Sequence, residues 1–409
     1  MNKTVELYYE SAYLKEFDAT VIVCTEREDG KYEVVLEKTA FFPEQGGQSS
    51  DVGILIDEKG KEIKVSHVSI KIECSDNECT GVAENVMVIK HIADAHIEVG
   101  TKVHGVINWE HRFSNMQQHT GEHIFSGIVN SKFGYDNVGF HLSDSEVTMD
   151  YNGILTEENI REIELLVNQA IWENVDVLCE FPDASTLNEL NYRSKKELTG
   201  DVRIVTIKGY DVCACCAPHV LRTGEIGILK VVGLQNYKGG VRVNILCGKR
   251  ALEFMNRQQK IVDELALHFT TASENIIPAV NKLSFENAAL KTDLSATKEK
   301  LIDYELKEIP QDQENVFLIK DETTDGNSMR KIVNLLSEKY AGFCGIFAGS
   351  DAAGYKFVVA SGIGGKDAKE VLQILKDKFD AKGGGNAKMI QGSISEAKAA
   401  EILESLNSI

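Results

Sequence analysis

Short runs in which β-branched and aromatic residues alternate with polar ones dominate the first hundred positions. Thr20–Cys24 and Tyr32–Thr39 are such runs, bounded by polar and glycine turns, and they predict strands. Between Phe41 and Gly53 the chain reads FFPEQGGQSSDVG and is dense in turn formers. Residues 1–95 are therefore expected to form a small β-barrel, a sandwich being the other way to close such strands. Past residue 96 the period changes. TKVHGVINW reads as a strand and is followed by a helical pattern from about Asn115 to Lys132. Thr156–Val175 places Ile160, Ile163, Val167, Ala170 and Ile171 on one helical stripe, with Thr156 as a cap. Strands at Val202–Ile207, Ile226–Leu234 and Val241–Leu246 follow. Residues 96–250 thus predict a two-layer α+β domain.

Residues 251–310 read as helix. Leu283, Leu290, Thr297 and Tyr304 recur every seven positions, as do Val280, Asn287, Leu294 and Leu301. Pro278 breaks the helical run ahead of this stretch. The pattern fits either an intramolecular helical hairpin or a dimerising coiled coil. Pro310 closes it. Residues 311–409 then alternate strands (Val316–Ile319, Cys344–Ala348, Lys356–Ala360) with helices (Asn327–Tyr340, Ala368–Phe379), ending in a glycine-rich loop and a terminal helix. This predicts a separate C-terminal α/β domain, and an α+β multidomain chain as a whole.

Composition removes several classes. Apolar residues are 43% and charged residues 26%, as in ordinary globular proteins. No apolar run approaches the length of about 18 residues that spans a bilayer, so no membrane contact is expected. The N-terminus MNKTVELYYESAY has no apolar signal core. The net charge of −19 argues against coating nucleic acid by bulk attraction, so any RNA contact must be local. Nine cysteines, an odd number without an export signal, read as thiols or metal ligands in a reducing cytoplasm. Cys74 and Cys79 are too widely spaced for a redox C-x-x-C.

Two short motifs carry the chemistry. HTGEH sets His119 and His123 four residues apart, which on a helix puts both imidazoles on one face. CAPH sets Cys215 and His219 at the same interval. Together they supply four nitrogen or sulfur donors, the number and type that Zn2+ prefers. Cys213, Cys215 and Cys216 all lie near His219. Cys215 matches the spacing, and Cys216 is the alternative. Glu122, between the two histidines, could hold a water or a substrate amine, or could orient a histidine from behind.

These residues bring a family into view. HTGEH, then CAPHV with RTGEIG, then GGVRVNILCGKRAL resemble the editing domain of alanyl-tRNA synthetases. TAFFPEQGGQSSDVG resembles the glycine motif of the same family, and GGGNAKMIQGS resembles the signature of its tRNA-binding C-Ala domain. The chain starts at the editing region and contains no G-x-x-x-x-G-K-[ST] loop, so it resembles a free-standing AlaX-type trans-editing protein of the long form.

The resemblance implies a zinc-dependent, ATP-independent cytoplasmic hydrolase that deacylates mischarged tRNA(Ala), chiefly with serine and secondarily with glycine. It implies His119, His123, Cys215 and His219 as zinc ligands. Thr39 and Gln45, Gly46, Gly47 and Gln48 would lie near the aminoacyl group, with Thr39 a candidate for the serine hydroxyl. Asn137, two positions ahead of Gly139, would be a polar pocket residue, and Glu122 a proton acceptor for the attacking water. His141 is a further candidate, its alternatives being an exposed or a core histidine. Gly383, Gly384 and Gly385, flanked by Lys382 and Lys388, would contact the tRNA backbone. The window Lys366–Lys388 holds six lysines against four acidic residues, a local excess of positive charge. A homodimer through the helical segment and the C-terminal domain is expected. This sequence has Glu122 where the family often has Thr, and CCAPH where it has CGGTH, which bears on amino-acid preference. Two other readings are an H-x-x-E-H metallopeptidase and a non-catalytic tRNA-binding protein with structural zinc.

Overall fold

The computed structural model describes residues 3–74, 85–194, 201–406 and 409. It divides into two compact units, Met1–Leu265 and Ala266–Ile409.

The first unit opens with a closed six-stranded antiparallel barrel: β1 (Glu16–Glu26), β2 (Tyr32–Leu36), β3 (Gly53–Asp57), β4 (Glu62–Cys74), β5 (Asn85–Ala93) and β6 (Lys102–Ile107), in the order β1-β2-β5-β4-β3-β6. Closure leaves no free sheet edge. Along β1 the side chains alternate, so that Phe17, Ala19 and Val21 point inward and Glu16 and Asp18 outward. Val34, Leu36, Leu55, Ile63, Val65 and Ile89 fill the interior with them. The segment placed in the second domain by its sequence, TKVHGVINW, is β6. It pairs with both β1 and β3 and closes the barrel, so the boundary falls after Ile107 rather than at residue 95. Of the widely spaced cysteine pair, Cys74 is the last residue of β4, and Cys79 lies outside the described residues.

Helix α1 (Trp109–Phe133) follows at once. Asn108 caps it by accepting from His111 N at 3.1 Å, and left-handed Gly134 ends it. Its residues from Asn115 to Val129 are buried, polar ones included. A helix so enclosed must satisfy most of its polar side chains internally. Gln118 does so on both atoms of its amide, with Cys247 O at 2.9 Å and Cys247 N at 2.7 Å. Strands β7 (Asn137–Leu142) and β8 (Val147–Tyr151), helix α2 (Glu157–Glu173) and a small antiparallel sheet of β9 (Val177–Glu180), β10 (Ile204–Ile207) and β11 (Asp211–Ala214) come next. Thr156 caps α2 in a capping box with Asn159. Strands β12 (Leu229–Tyr237) and β13 (Gly240–Cys247) complete a four-stranded antiparallel sheet, β12-β13-β8-β7. Met116, Ile124 and Phe125 of α1, with Ile163, Val167 and Ile171 of α2, pack on Met149, Val243 and Ile245 of that sheet. The strand expected from Ile226 starts only at Leu229, because Thr223–Ile226 is a 3-10 turn that ends on Gly227 at φ 81°.

The helical stretch expected over 251–310, with a break at Pro278, is two helices, α3 (Gly248–Phe269) and α4 (Ile276–Lys307). The break is at Thr270–Asn275, where Thr270 takes φ 52°. Pro278 does not cause it. It sits in the first turn of α4, where a missing N–H costs nothing.

The second unit holds a five-stranded sheet of β14 (Val316–Lys320), β15 (Phe343–Ser350), β16 (Gly354–Ser361), β17 (Lys382–Gly385) and β18 (Met389–Ile394), in the order β14-β15-β16-β18-β17. Only the pair β14–β15 is parallel. Helix α5 (Gly326–Ser337) covers one face through Met329, Ile332 and Val333. Helices α6 (Lys369–Phe379) and α7 (Ala399–Leu406) cover the other through Val371, Leu375 and Ile402. β15 is buried on both faces and therefore reads as an unbroken apolar run. Gly383, Gly384 and Gly385 do not form a loop. They are the edge strand β17, paired with β18, and Lys382 and Lys388 are exposed at either end of that hairpin. A Cβ at Gly383 would lie 2.5 Å from Gln391 O, so the close pairing depends on glycine. Among the described residues no helix is long and apolar enough to cross a membrane.

Candidate metal centre and its cavity

Helix α1 and the turn after β11 meet at one point. Gly127 of α1 lets the start of β11 come close, since a Cβ there would lie 2.2 Å from Tyr210 O. Gly121 does the same against Cys247, with a Cβ 2.5 Å from Sγ. The result is that donor atoms of His119, His123, Cys215 and His219 all lie within 4.8 Å of one another. Cys215 Sγ is 3.5 Å from His119 Nε2 and 3.4 Å from His219 Nε2. A tetrahedral zinc with ordinary bond lengths holds sulfur and nitrogen roughly 3.6 Å apart. Cys215 is the cysteine of this group. Cys216 points elsewhere, and a Cβ added at Gly46 would lie 3.4 Å from its Sγ.

Each imidazole has its other nitrogen occupied. His119 Nδ1 is 2.7 Å from Gln48 Oε1, His123 Nδ1 is 2.8 Å from Asp211 Oδ2, and His219 Nδ1 is 3.1 Å from Thr120 Oγ1. The Thr120 hydroxyl donates to Met116 O at 2.8 Å, so its oxygen is left to accept from His219. Three acceptors behind three rings select the Nδ1–H tautomer and leave every Nε2 lone pair directed at the common centre. Arg193 clamps Asp211 from its far side with two hydrogen bonds, at 2.7 and 2.8 Å.

The electrostatics differ from donor to donor. Burial pushes the Cys215 thiol up, but His119 and His219 outweigh it and hold the sulfur well below the usual thiol value. Burial drives His219 down to about 3, so it stays neutral. Asp211 lies below the usual carboxylate range because bonds from His123 and Arg193 exceed its desolvation. Burial and the neighbouring Cys215 push Cys216 up to about 12, which keeps it a thiol. Burial lowers His123, but its bonds to Asp211, Cys213 and Cys215 outweigh that and hold the ring well above the ordinary imidazole value, so zinc, which needs a thiolate and neutral imidazoles, would have to displace a proton from it.

A cavity of about 770 Å³ opens beside the donors. His119, His123 and Cys215 form part of its wall, whereas His219 does not. Tyr9, Gln45, Phe140, Phe181 and Arg203 line other parts. Arg203 Nη1 donates to Cys215 O at 3.0 Å and Ala217 O at 2.8 Å, which fixes the turn that carries the cysteine. Gly46 and Gly47, at φ 65° and 84°, form the tight turn from Gln45 to Gln48 that brings the barrel to this wall. Gly47 O accepts from Leu142 N at 2.7 Å, and a Cβ at Gly47 would lie 2.4 Å from Phe140 O.

Other sequence candidates fall elsewhere. Thr39 is fully buried in the barrel, where its hydroxyl meets His91 Nε2 at 2.8 Å and accepts from Phe41 N at 3.1 Å. It is not part of the cavity wall. Glu122 is also outside that wall. Its Oε1 accepts from Ser126 Oγ at 2.6 Å and Asn137 Nδ2 at 2.6 Å, and Ser126 continues to Tyr151 OH at 2.8 Å. Asn137 belongs to this buried network and lines a different cavity, of about 590 Å³. His141 is exposed on β7. Sequence reading missed Asp211, Arg193 and Arg203, which no spacing singles out, and Thr120, which sits inside HTGEH but reads as filler there.

A family described as tRNA synthetases class II (A) matches residues 3–111, and one described as the threonyl and alanyl tRNA synthetase second additional domain matches residues 202–244. The alanyl-tRNA editing protein AlaX-L of Pyrococcus horikoshii is 30% identical, over 97% of this chain and 96% of that one. The chain belongs to the alanyl-tRNA editing protein family. AlaX-M of Methanosarcina mazei is 36% identical over 57% of this chain and 92% of its own length. The alanine–tRNA ligase of Ignicoccus hospitalis is 28% identical over 98% of this chain, which spans only 43% of that enzyme. Among solved structures, the C-Ala domain from Aquifex aeolicus alanyl-tRNA synthetase aligns with 23% of this chain and 87% of its own, at 19% identity and TM-score 0.20, too slight a likeness to argue from.

Proposed function

We propose that this chain is a zinc-dependent trans-editing hydrolase that deacylates mischarged tRNA(Ala), with Ser-tRNA(Ala) its main substrate and Gly-tRNA(Ala) a second. The observation that carries this reading is a convergent His119–His123–Cys215–His219 set whose open side forms the wall of a cavity large enough for an aminoacylated ribose. The aminoacyl ester is intrinsically reactive, so positioning and water polarisation suffice. Zinc held by the four donors would supply Lewis acidity or anchor the aminoacyl group. The protein's own part is to fix those donors. Asp211 and Arg193 orient His123, Thr120 orients His219, and Arg203 holds the Cys215 turn. Glu122, bonded to Ser126 and Asn137, braces the helix rather than taking a proton in the cavity. That arrangement disfavours an H-x-x-E-H peptidase, whose glutamate must face the metal.

The test is deacylation of Ser-tRNA(Ala) and Gly-tRNA(Ala), with and without chelator, by the wild type and His119→Ala. Chelator-sensitive hydrolysis that disappears in the variant supports the reading. Tight tRNA binding without hydrolysis means a non-catalytic binder, and cleavage of casein in place of the ester means a peptidase. The C-terminal hairpin with Lys382 and Lys388 supports a tRNA-backbone contact. Val280, Leu283, Leu290, Leu294, Leu301 and Tyr304 are exposed along α4, which supports a homodimer through that helix. Sedimentation of a Leu290→Asp, Leu294→Asp variant as a monomer is the corresponding check.

A further inference from the structure

We infer that Gln48 is a positioning residue of the metal centre, so that the glycine turn of the barrel is coupled to metal binding rather than serving only as a wall for substrate. This rests on the metal reading of the four donors. Gln48 is fully buried. Its Oε1 is the atom facing His119 Nδ1, at 2.7 Å. Its Nε2 has no hydrogen-bond partner among the described residues. Burying an amide with one group unpaired is costly. A side chain kept only for packing would be replaced at lower cost by an apolar one of the same size, so the burial is explained by what Oε1 does. It accepts the His119 Nδ1–H and leaves Nε2 as the ligand atom.

The backbone shows how the side chain is aimed. Gln45 and Gln48 exchange backbone hydrogen bonds of 3.2 and 3.1 Å across Gly46 and Gly47. Leu142 of β7 then receives the turn on both sides, donating to Gly47 O and accepting from Ser49 N at 3.0 Å. The turn therefore cannot shift without carrying Gln48 away from His119. His123 and His219 take their partners from the α+β part of the unit, as Asp211 and Thr120. Only His119 is oriented by the barrel.

The experiment measures zinc affinity by competition with a chromophoric chelator, without tRNA, in Gln48→Met, Gln48→Glu and Gly47→Ala. Gln48→Met keeps volume and loses the acceptor. Its zinc affinity is expected to fall roughly 10–100-fold, while the thermal midpoint before zinc is added stays at or above that of the wild type. Gln48→Glu keeps an acceptor and is expected to bind zinc within a few-fold of wild type. Gly47→Ala pushes the turn off Phe140 and is expected to weaken zinc binding with Gln48 intact. Wild-type zinc affinity in Gln48→Met overturns the inference. So does a midpoint that falls together with affinity, since that marks a structural role. Because no tRNA is present, either result is separable from failure of the hydrolase reading, which would show as unchanged zinc binding with no ester cleavage.

Discussion

Replacing Arg112 should both destabilise the first unit and disturb the site. Arg112 lies four residues into α1 and is completely buried, as is Asp51 at the end of the glycine segment. Its Nε is 3.0 and 2.9 Å from the two Asp51 oxygens, and Nη2 also bonds that carboxylate. Its remaining donors reach Ala12 O at 2.9 Å and Ala40 O at 2.6 Å. Asp51 Oδ2 accepts in addition from Phe42 N at 2.6 Å. One guanidinium thus ties the helix that carries His119 and His123 to Asp51, Ala12 and Ala40. Arg112→Met leaves a buried carboxylate without its cation and two carbonyls without a donor. Removing one partner of a buried pair costs about 3–5 kcal/mol. At roughly 2–4 °C per kcal/mol for a unit of this size, the midpoint should fall roughly 6–20 °C. Asp51→Leu combined with Arg112→Met removes both charges and should recover most of that loss, because much of the cost is the stranded ion rather than the missing attraction. Thermal and urea unfolding of the wild type, both single variants and the double variant measure this. A single variant within about 1 kcal/mol of wild type would refute the reasoning. So would a double variant that loses the sum of the two singles.

Further outcomes follow from other groups. Burial drives His91 from an ordinary 6.5 down to about 4. The unfolded chain then binds its proton first as the pH drops, so stability is full above pH 6.5 and declines as pH falls toward 4. This single group accounts for about 3 kcal/mol. Urea unfolding at pH 7 and pH 4.5 should show a smaller loss in His91→Gln, and an equal loss would rule the assignment out. Asp211→Asn should lower zinc affinity about tenfold, since the carboxylate behind His123 raises its basicity; unchanged affinity in the chelator competition contradicts this. Lys382→Glu with Lys388→Glu should weaken tRNA binding and reduce the salt slope of log K by about 1 for each phosphate that is no longer neutralised. A slope equal to wild type would place the tRNA-binding surface elsewhere.

Much of the site was legible in the sequence because it is written in local spacings. The four-residue interval in HTGEH and in CAPH follows from the pitch of a helix turn and the reach of a tight loop. Those intervals mark His119, His123, Cys215 and His219 without any knowledge of the fold. The first two strands of the barrel and the amphipathic α2 were likewise visible, since period and capping are local properties. Tertiary structure decided the rest. Nothing in the chain around Asp211, Gln48 or Thr120 shows that each ends behind a different imidazole. Those pairings span 71 to 99 residues and exist only because α1 is enclosed on all sides. The same enclosure turned Glu122 away from the cavity, since a buried carboxylate goes where donors are, and Ser126 and Asn137 supply them. Thr39 was drawn inward for the same reason, by His91. That the strand Lys102–Ile107 belongs to the barrel, and that Lys382–Gly385 is an edge strand, escaped prediction because strand pairing is non-local. A strand of three glycines has no side-chain pattern to read, and only its neighbour across the sheet makes it a strand.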